Sequence, residues 1–396
     1  MDRDKKQVKL STLIAVSGIA MIIGFIGGTR KEEVLNLLSP IFGIKKTASS
    51  LDLSSVQNTY RVLAEKFDGN LDTAKLIEGA SKGLVEATGD EHTIYMDAEE
   101  AEEFNKSLSG DVGAGIGVQV GMRNNLPTVV RALKNNPAIK AGILAGDVIV
   151  EVNGESVSGK TIDEITTKIK GEVGTTVKVK ISRNGEEKEF SITRATISNP
   201  SVELEISGEI AILTISRFDG ETGALAKKYA QEIKQKGISK VILDLRGNGG
   251  GYVTAAQSVA SLWLEKNKLI VTEKKGSQII DEIRSTGDNI LSGVETIVLA
   301  DQGSASASEI VVGALKDNKV AKIYGKTTYG KGSVQEPVDI NSGALLKVTV
   351  AKWYTPSGKN LNGEGISPDQ EVELTADDIN SGNDPQMTSA KDALNI

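Results

Sequence analysis

The chain has 396 residues, with 53 acidic against 46 basic side chains and a net charge of −7, which is length enough for two or three domains. The acidic balance and the absence of any basic run give no reason to expect nucleic acid as a partner. With no cysteine and a single histidine, disulfides and thiolate metal sites are excluded, and no metal-ligand cluster is visible.

Leu10 to Gly28, LSTLIAVSGIAMIIGFIGG, carries no charge and follows Arg3, Lys5, Lys6 and Lys9. About twenty apolar residues span a bilayer, whereas the apolar region of a cleavable signal is about seven to fifteen residues long. Thr29-Arg30-Lys31-Glu32-Glu33 follows without an A-x-A site, so residues 10–28 read as an uncleaved signal anchor. The positive flank then leaves residues 1–9 as a cytoplasmic tail and exports the rest, giving a single-pass protein whose bulk is extracytoplasmic. A cleaved signal peptide is the alternative.

Residues 50–109 hold two helical patterns, Val56 to Phe67 and Leu71 to Ala87, separated by Asp68-Gly69-Asn70. The first exposes more apolar surface than a lone helical pair buries, and a homodimer through these helices is the expected partnership. His92 falls in a polar stretch that reads as a surface turn.

Residues 110–194 read as a β-rich module. Gly115-Ile116-Gly117-Val118-Gln119-Val120 is a glycine loop entering an alternating strand, and Ala141 to Asn153 is a turn followed by another strand. A helix spans Ile162 to Lys170, and two alternating strands, Thr176 to Ser182 and Glu187 to Thr193, meet at an Asn184-Gly185 hairpin turn. This resembles a PDZ domain in the bacterial protease arrangement. The resemblance implies a peptide groove between the strand after Gly117 and the helix, with Gly115, Ile116, Gly117, Val118, Gln119 and Val120 binding a free C-terminus and Ile165 and Ile169 lining a pocket for its last side chain. Gly154 to Thr161 also matches the P-loop pattern residue for residue. The antiparallel hairpin that follows is not how a P-loop domain continues, so a nucleotide-hydrolysing reading is the lesser alternative. No cofactor is expected.

From Ala195 strands and helices alternate: Ile210 to Ser216, a helix from Gly223 to Lys236, Val241 to Leu245, a helix from Val253 to Glu265, then Thr296 to Ala300 and a helix after Ser306. This is an α/β layer pattern whose strand ends converge on glycine-rich turns. Ser306 stands at the passage from a buried strand into a helix, where the Ala307 N–H and the helix's positive end face developing negative charge. Ser306-Ala307-Ser308-Glu309 is also a capping box, and taken alone it reads as one. The lone histidine lies far away, so a hydrolase built on this serine needs another base. Lys331 returns twenty-five positions later between Gly330 and Gly332, and burial brings a lysine towards neutrality. The S-x-x-K spacing of penicillin-binding chemistry fails at Ser304, Ser306 and Ser308, and the G-x-S-x-G elbow is absent there.

GSASASEIVVGALKD, then YGKGSVQ and AKWYTPSGKNLNGEGISPD, are similar to the carboxy-terminal processing peptidases, or tail-specific proteases, over roughly residues 70–370. The resemblance implies Ser306 as nucleophile, Lys331 as general base and Gln335 as its orienting partner. Asp244 to Gly251 stands where that family has DLRxNPGG, with Gly249 in place of the usual proline, and places Gly250 beside Ala307 in the oxyanion hole. The family also often uses an N-terminal helical segment at a dimer contact. The chain therefore reads as an α/β multidomain protein: a membrane anchor, a helical segment, a PDZ-like module at 110–194, a serine protease core at 195–375 and a polar tail at 376–396, either disordered or docked on the N-terminal helices. The expected function is a membrane-anchored serine endopeptidase acting on proteins or peptides with a free C-terminus. An inactive PDZ scaffold, with Ser306 only capping its helix, is the rival.

Overall fold

The computed structural model describes residues 51–110, 113–123 and 126–395. The expected anchor at 10–28 lies outside the described residues, and among those residues no helix is long and apolar enough to cross a membrane. Contacts divide the chain into residues 1–73 and 74–396. In the first unit α1 (Ser54–Lys66) forms where the apolar spacing predicts it but buries none of its residues, leaving Val56, Tyr60 and Val62 about half exposed.

Helix α2 (Thr73–Glu86) likewise has no buried residue, with Ile77 and Leu84 exposed. Two elements that periodicity did not reveal follow it, β1 (Ile94–Met96) and α3 (Ala98–Ser109). Asp97 caps α3 by accepting from the N–H groups of Glu99 and Glu100, while Glu100 returns a bond to the Asp97 N–H.

The β-rich module begins and ends on one short ladder, β2 (Ala114–Gly115) against a later strand whose partner residues are Ala195 and Thr196. Between them run β3 (Val118–Arg123), β4 (Leu126–Ala132), α4 (Pro137–Ala141), β5 (Val148–Val152), β6 (Glu155–Ser156), α5 (Ile162–Ile169), β7 (Thr176–Arg183) and β8 (Glu186–Thr193). The sheet order is β3-β4-β5-β7-β8, so β3 lies at an edge beside α5. Alternate residues of β7, Val177, Val179 and Ile181, enter a core shared with Ile143, Ile149, Ile165 and Ile192. Thr161 caps α5 through the Glu164 N–H, which accounts for the Gly-Lys-Thr sequence as a helix start on an antiparallel sheet.

After β9 (Ala195–Thr196) the chain builds the second layer system: β10 (Val202–Ser207), β11 (Ile210–Ile215), α6 (Thr222–Gln235), β12 (Lys240–Asp244), α7 (Val253–Ala260), the hairpin β13 (Leu269–Lys275) and β14 (Gln278–Arg284), β15 (Glu295–Ala300), α8 (Ala307–Asp317) and β16 (Lys322–Gly325). It continues with β17 (Ser333–Asp339), β18 (Leu345–Tyr354), β19 (Gln370–Glu371), α9 (Ala376–Ser381) and α10 (Pro385–Ala393). β11, β12, β15 and β16 are parallel neighbours in one sheet. Successive side chains point to opposite faces: Val241, Leu243 and Val298 join the large core, while Ile242, Ile297 and Leu299 face the other way. Both faces are covered, which is why these strands are apolar without alternation.

What covers the second face corrects the reading of the tail. Ala390 and Leu394, both fully buried, pack with Ile210, Ile242, Ile297 and Leu299, so this end of the chain docks on the core sheet. Arg246 clasps the same segment, donating to Asp384 and Gln386 as well as to both Asp244 oxygens.

Candidate active site

The turn between β15 and α8 contains three serines, and the structure gives them different surroundings. Ser304 and Ser308 are fully buried and bonded inward, Ser304 Oγ to the Leu245 carbonyl at 2.8 Å and Ser308 Oγ to the Asn248 carbonyl at 2.8 Å. Ser306 is the partly exposed one and lines a cleft of about 490 Å³. Its backbone has φ 55° and ψ −114°, a region that side-chain-bearing residues rarely occupy.

Close approach of the backbone completes the turn. A Cβ placed on Gly250 would lie 2.7 Å from the Ala305 carbonyl oxygen and 2.8 Å from Ser306 Cβ, so only glycine fits beside the serine. Ala307 opens α8, and its N–H has no carbonyl one turn earlier in the helix to bond. The Gly250 N–H is already engaged, donating to Asn248 Oδ1 at 2.9 Å. Asn248 itself is fully buried and holds the Ile215 carbonyl and the Ala305 N–H.

Lys331 lines the same cleft from the loop between β16 and β17. A Cβ on Gly332 would come within 2.2 Å of the Asn362 N, so the loop lies flat on the Asn362-Gly363-Glu364-Gly365 segment, where the Gly363 N–H donates to the Gly330 carbonyl. Glu309, wholly buried on α8, ties the two halves of the site together. Its Oε1 accepts from Thr328 Oγ1 at 2.6 Å and the Gly330 N–H at 2.7 Å, and its Oε2 accepts from the N–H groups of Ser306 and Lys331, both at 2.9 Å. The sequence-level capping box is thus half of a larger clamp. Burial holds the Lys331 ammonium below the usual lysine range, the charge of Lys347 pushes it further down, and Glu309 opposes both.

Gln335 also lines the cleft, but its amide does not hold Lys331. Among the described residues its Nε2 donates to Ser333 Oγ at 2.6 Å and to Thr349 Oγ1 at 3.4 Å. A register shift between Val334 and Gln335 sets the side chain opposite Thr349 rather than toward the loop. Phe104, Leu108, Phe218, Val253 and Trp353 form apolar wall. The sequence reading missed Asn248, Lys347 and the α3 contribution; the alternating Leu345–Tyr354 run was the available signal for Lys347.

A second cavity of about 450 Å³ runs between β3 and α5, lined by all six of Gly115 to Val120 together with Thr166, Ile169 and Lys170. Ile165 is not part of it: fully buried, it points into the sheet one turn before Ile169. Arg217, paired with Asp219 at 2.9 Å, lines both this groove and the cleft beside Ser306.

Three family patterns match the chain: Peptidase family S41 over residues 209–372, PDZ domain over 114–193, and Activating protease CtpB N-terminal domain over 37–100. A probable CtpA-like serine protease of Staphylococcus aureus strain N315 is 35% identical over 356 residues, covering 88% of this chain and 71% of that one. Its counterpart in Staphylococcus haemolyticus is 33% identical over 369 residues, covering 93% and 74%. Among solved structures, a photosystem II D1 C-terminal processing protease is 27% identical with a TM-score of 0.52, covering 82% of this chain and 87% of that one. A putative S41 protease from Bacteroides fragilis, 14% identical with a TM-score of 0.59 over 89% and 99%, shares the fold.

Proposed function

The chain belongs to the C-terminal processing serine proteases of peptidase family S41 and carries a PDZ domain, and from that premise we propose that Ser306 and Lys331 are its nucleophile and general base. Neutral Lys331 takes the proton from Ser306 Oγ as that oxygen bonds to the scissile carbonyl carbon. The ammonium then returns the proton to the leaving amine, and a water deprotonated by the same lysine releases the acyl group. The N–H groups of Ala307 and Gly250 receive the oxyanion, the latter by turning from Asn248, and Gln335 orients Lys331 through Oε1 by turning its amide from Ser333 and Thr349.

The observation that carries this reading is the Glu309 carboxylate, which holds the backbone of Ser306 and of Lys331 on one buried group. A helix cap alone has no need of the Lys331 loop. Labelling with a fluorophosphonate serine probe tests the assignment. Peptide mapping should find Ser306 modified, with labelling abolished in Ser306→Ala and slowed in Lys331→Ala; modification of Ser304 or Ser308 instead would overturn it.

Substrate selection belongs to the β3–α5 groove. A free C-terminus adds to the β3 edge at Val118 to Val120, and its carboxylate sits on the backbone N–H groups of Gly115, Ile116 and Gly117. That β3 is an edge strand supports this reading. The domain limits, 110–194 for the PDZ module and 195–375 for the core, belong to the same proposal, as do the single-pass anchor at 10–28, an extracytoplasmic site and a homodimer through the exposed apolar faces of α1 and α2.

A further inference from the structure

The mechanism leaves two charged side chains of the cleft unused: Arg217, which is paired with Asp219, and Lys347. Lys347 sits on β18 opposite Ile94 of β1 on one side and Pro337 of β17 on the other, so two ladders fix its backbone. Its Nζ stands over the Phe104 ring of α3, 5.6 Å from the centroid. Among the described residues no carboxylate pairs with it, and burial alone disfavours its charge. Two residues further along the same strand, Thr349 bonds Gln335, and Gln335 and Lys347 both line the cleft that contains Ser306 and Lys331.

An ammonium held half-buried without a counter-ion is costly unless it serves something. An aromatic face stabilises such a cation only modestly. We propose that Lys347 is a positioning residue of the reaction: held by β18 and the Phe104 ring, its ammonium is the like charge that makes Lys331 surrender its own proton and stand ready as the base. This rests on Lys331 being that base. The charged and titratable groups facing the pair are Glu309 behind the Lys331 loop and Arg217 and Tyr252 at the cleft wall. Glu309 favours the Lys331 ammonium, and Lys347 is the cation that counters it. The arrangement also explains why, among the described residues lining the cleft, no carboxylate accompanies Lys331 and Lys347: an anion there would restore the charge of the base.

The test is the pH dependence of fluorophosphonate labelling at Ser306, which needs no bound peptide, alongside kcat/KM on a peptide. In the wild type both rise with pH through one inflection. In Lys347→Met that inflection should move to higher pH, with the rate about tenfold lower on the acid side, the equivalent of about one pKa unit, and recovered on the alkaline side. Lys347→Arg, which keeps the charge, should retain the wild-type inflection, and Phe104→Leu, which lets water reach the ammonium, should move it in the same direction as Lys347→Met but less. An unmoved inflection in both Lys347→Met and Phe104→Leu, or Lys347→Arg behaving like Lys347→Met, overturns the proposal. If Lys347→Met does not fold, Phe104→Leu and Lys347→Arg decide between the same two outcomes. Lys331→Met separates the two levels of inference. An inflection that survives there removes Lys331 as the base, whereas one that vanishes there yet stays fixed in the Lys347 variants removes only the role of Lys347.

Discussion

In the dyad proposed for Ser306 and Lys331, two side chains act as one unit. Ser306→Ala and Lys331→Ala should each lower kcat by several orders of magnitude, on the order of the 10⁶ seen when a catalytic unit is broken, and the double variant should be little worse than either. Additive losses in single-turnover assays would count against a dyad. Because burial and a neighbouring cation lower the Lys331 pKa, and only the neutral amine accepts a proton, activity should rise with pH through an inflection below the ordinary lysine range. Gly250→Ala asks a different question. Its added methyl would press on Ala305 and Ser306, and the loss of an oxyanion donor costs roughly 10²–10³-fold in kcat. A variant that folds and retains full kcat would show that the close approach of Gly250 to Ser306 is not needed for the reaction.

Among the elements, α8 and the sheet around it were legible in the sequence because their signals are local. An unbroken apolar run marked β15, helical spacing marked α8, and composition directed attention from histidine to lysine. The clamp around Glu309 was half legible: the capping box could be read three residues apart, but its bonds to Thr328, Gly330 and Lys331 depend on how a distant loop returns. Lys347 was not legible, since its place comes from the registers of β1, β17 and β18 and from the packing of α3. The tail was misjudged because α10 is only weakly amphipathic, and its burial is decided by the sheet face waiting for it. That docking can be measured. Leu394→Ala should destabilise the fold by about 2–5 kcal/mol in denaturant titration, with Peptidase activity per folded molecule unchanged. A change below about 0.5 kcal/mol would mean that the helix contributes no packing.

Taken whole, the molecule joins the β3–α5 groove to the cleft at Ser306 through a wall that includes Arg217. If the groove reads a carboxylate, its charge has to matter. Amidating a peptide's C-terminus without changing its sequence should weaken binding to the Ser306→Ala protein by about 1–3 kcal/mol in calorimetry; equal affinities would exclude end recognition by the Gly115–Gly117 loop. The left-handed backbone at Ser306 has a consequence for inheritance as well as for chemistry. A conformation of that kind costs of order 1–3 kcal/mol, a load borne by the entire fold and relieved by glycine alone. Although glycine ordinarily weakens a structure, Ser306→Gly should melt no lower than Ser306→Ala. Selection for activity is then what keeps a serine here, and a copy of this gene freed from that selection should drift at codon 306 toward glycine, gaining stability as it loses its reaction.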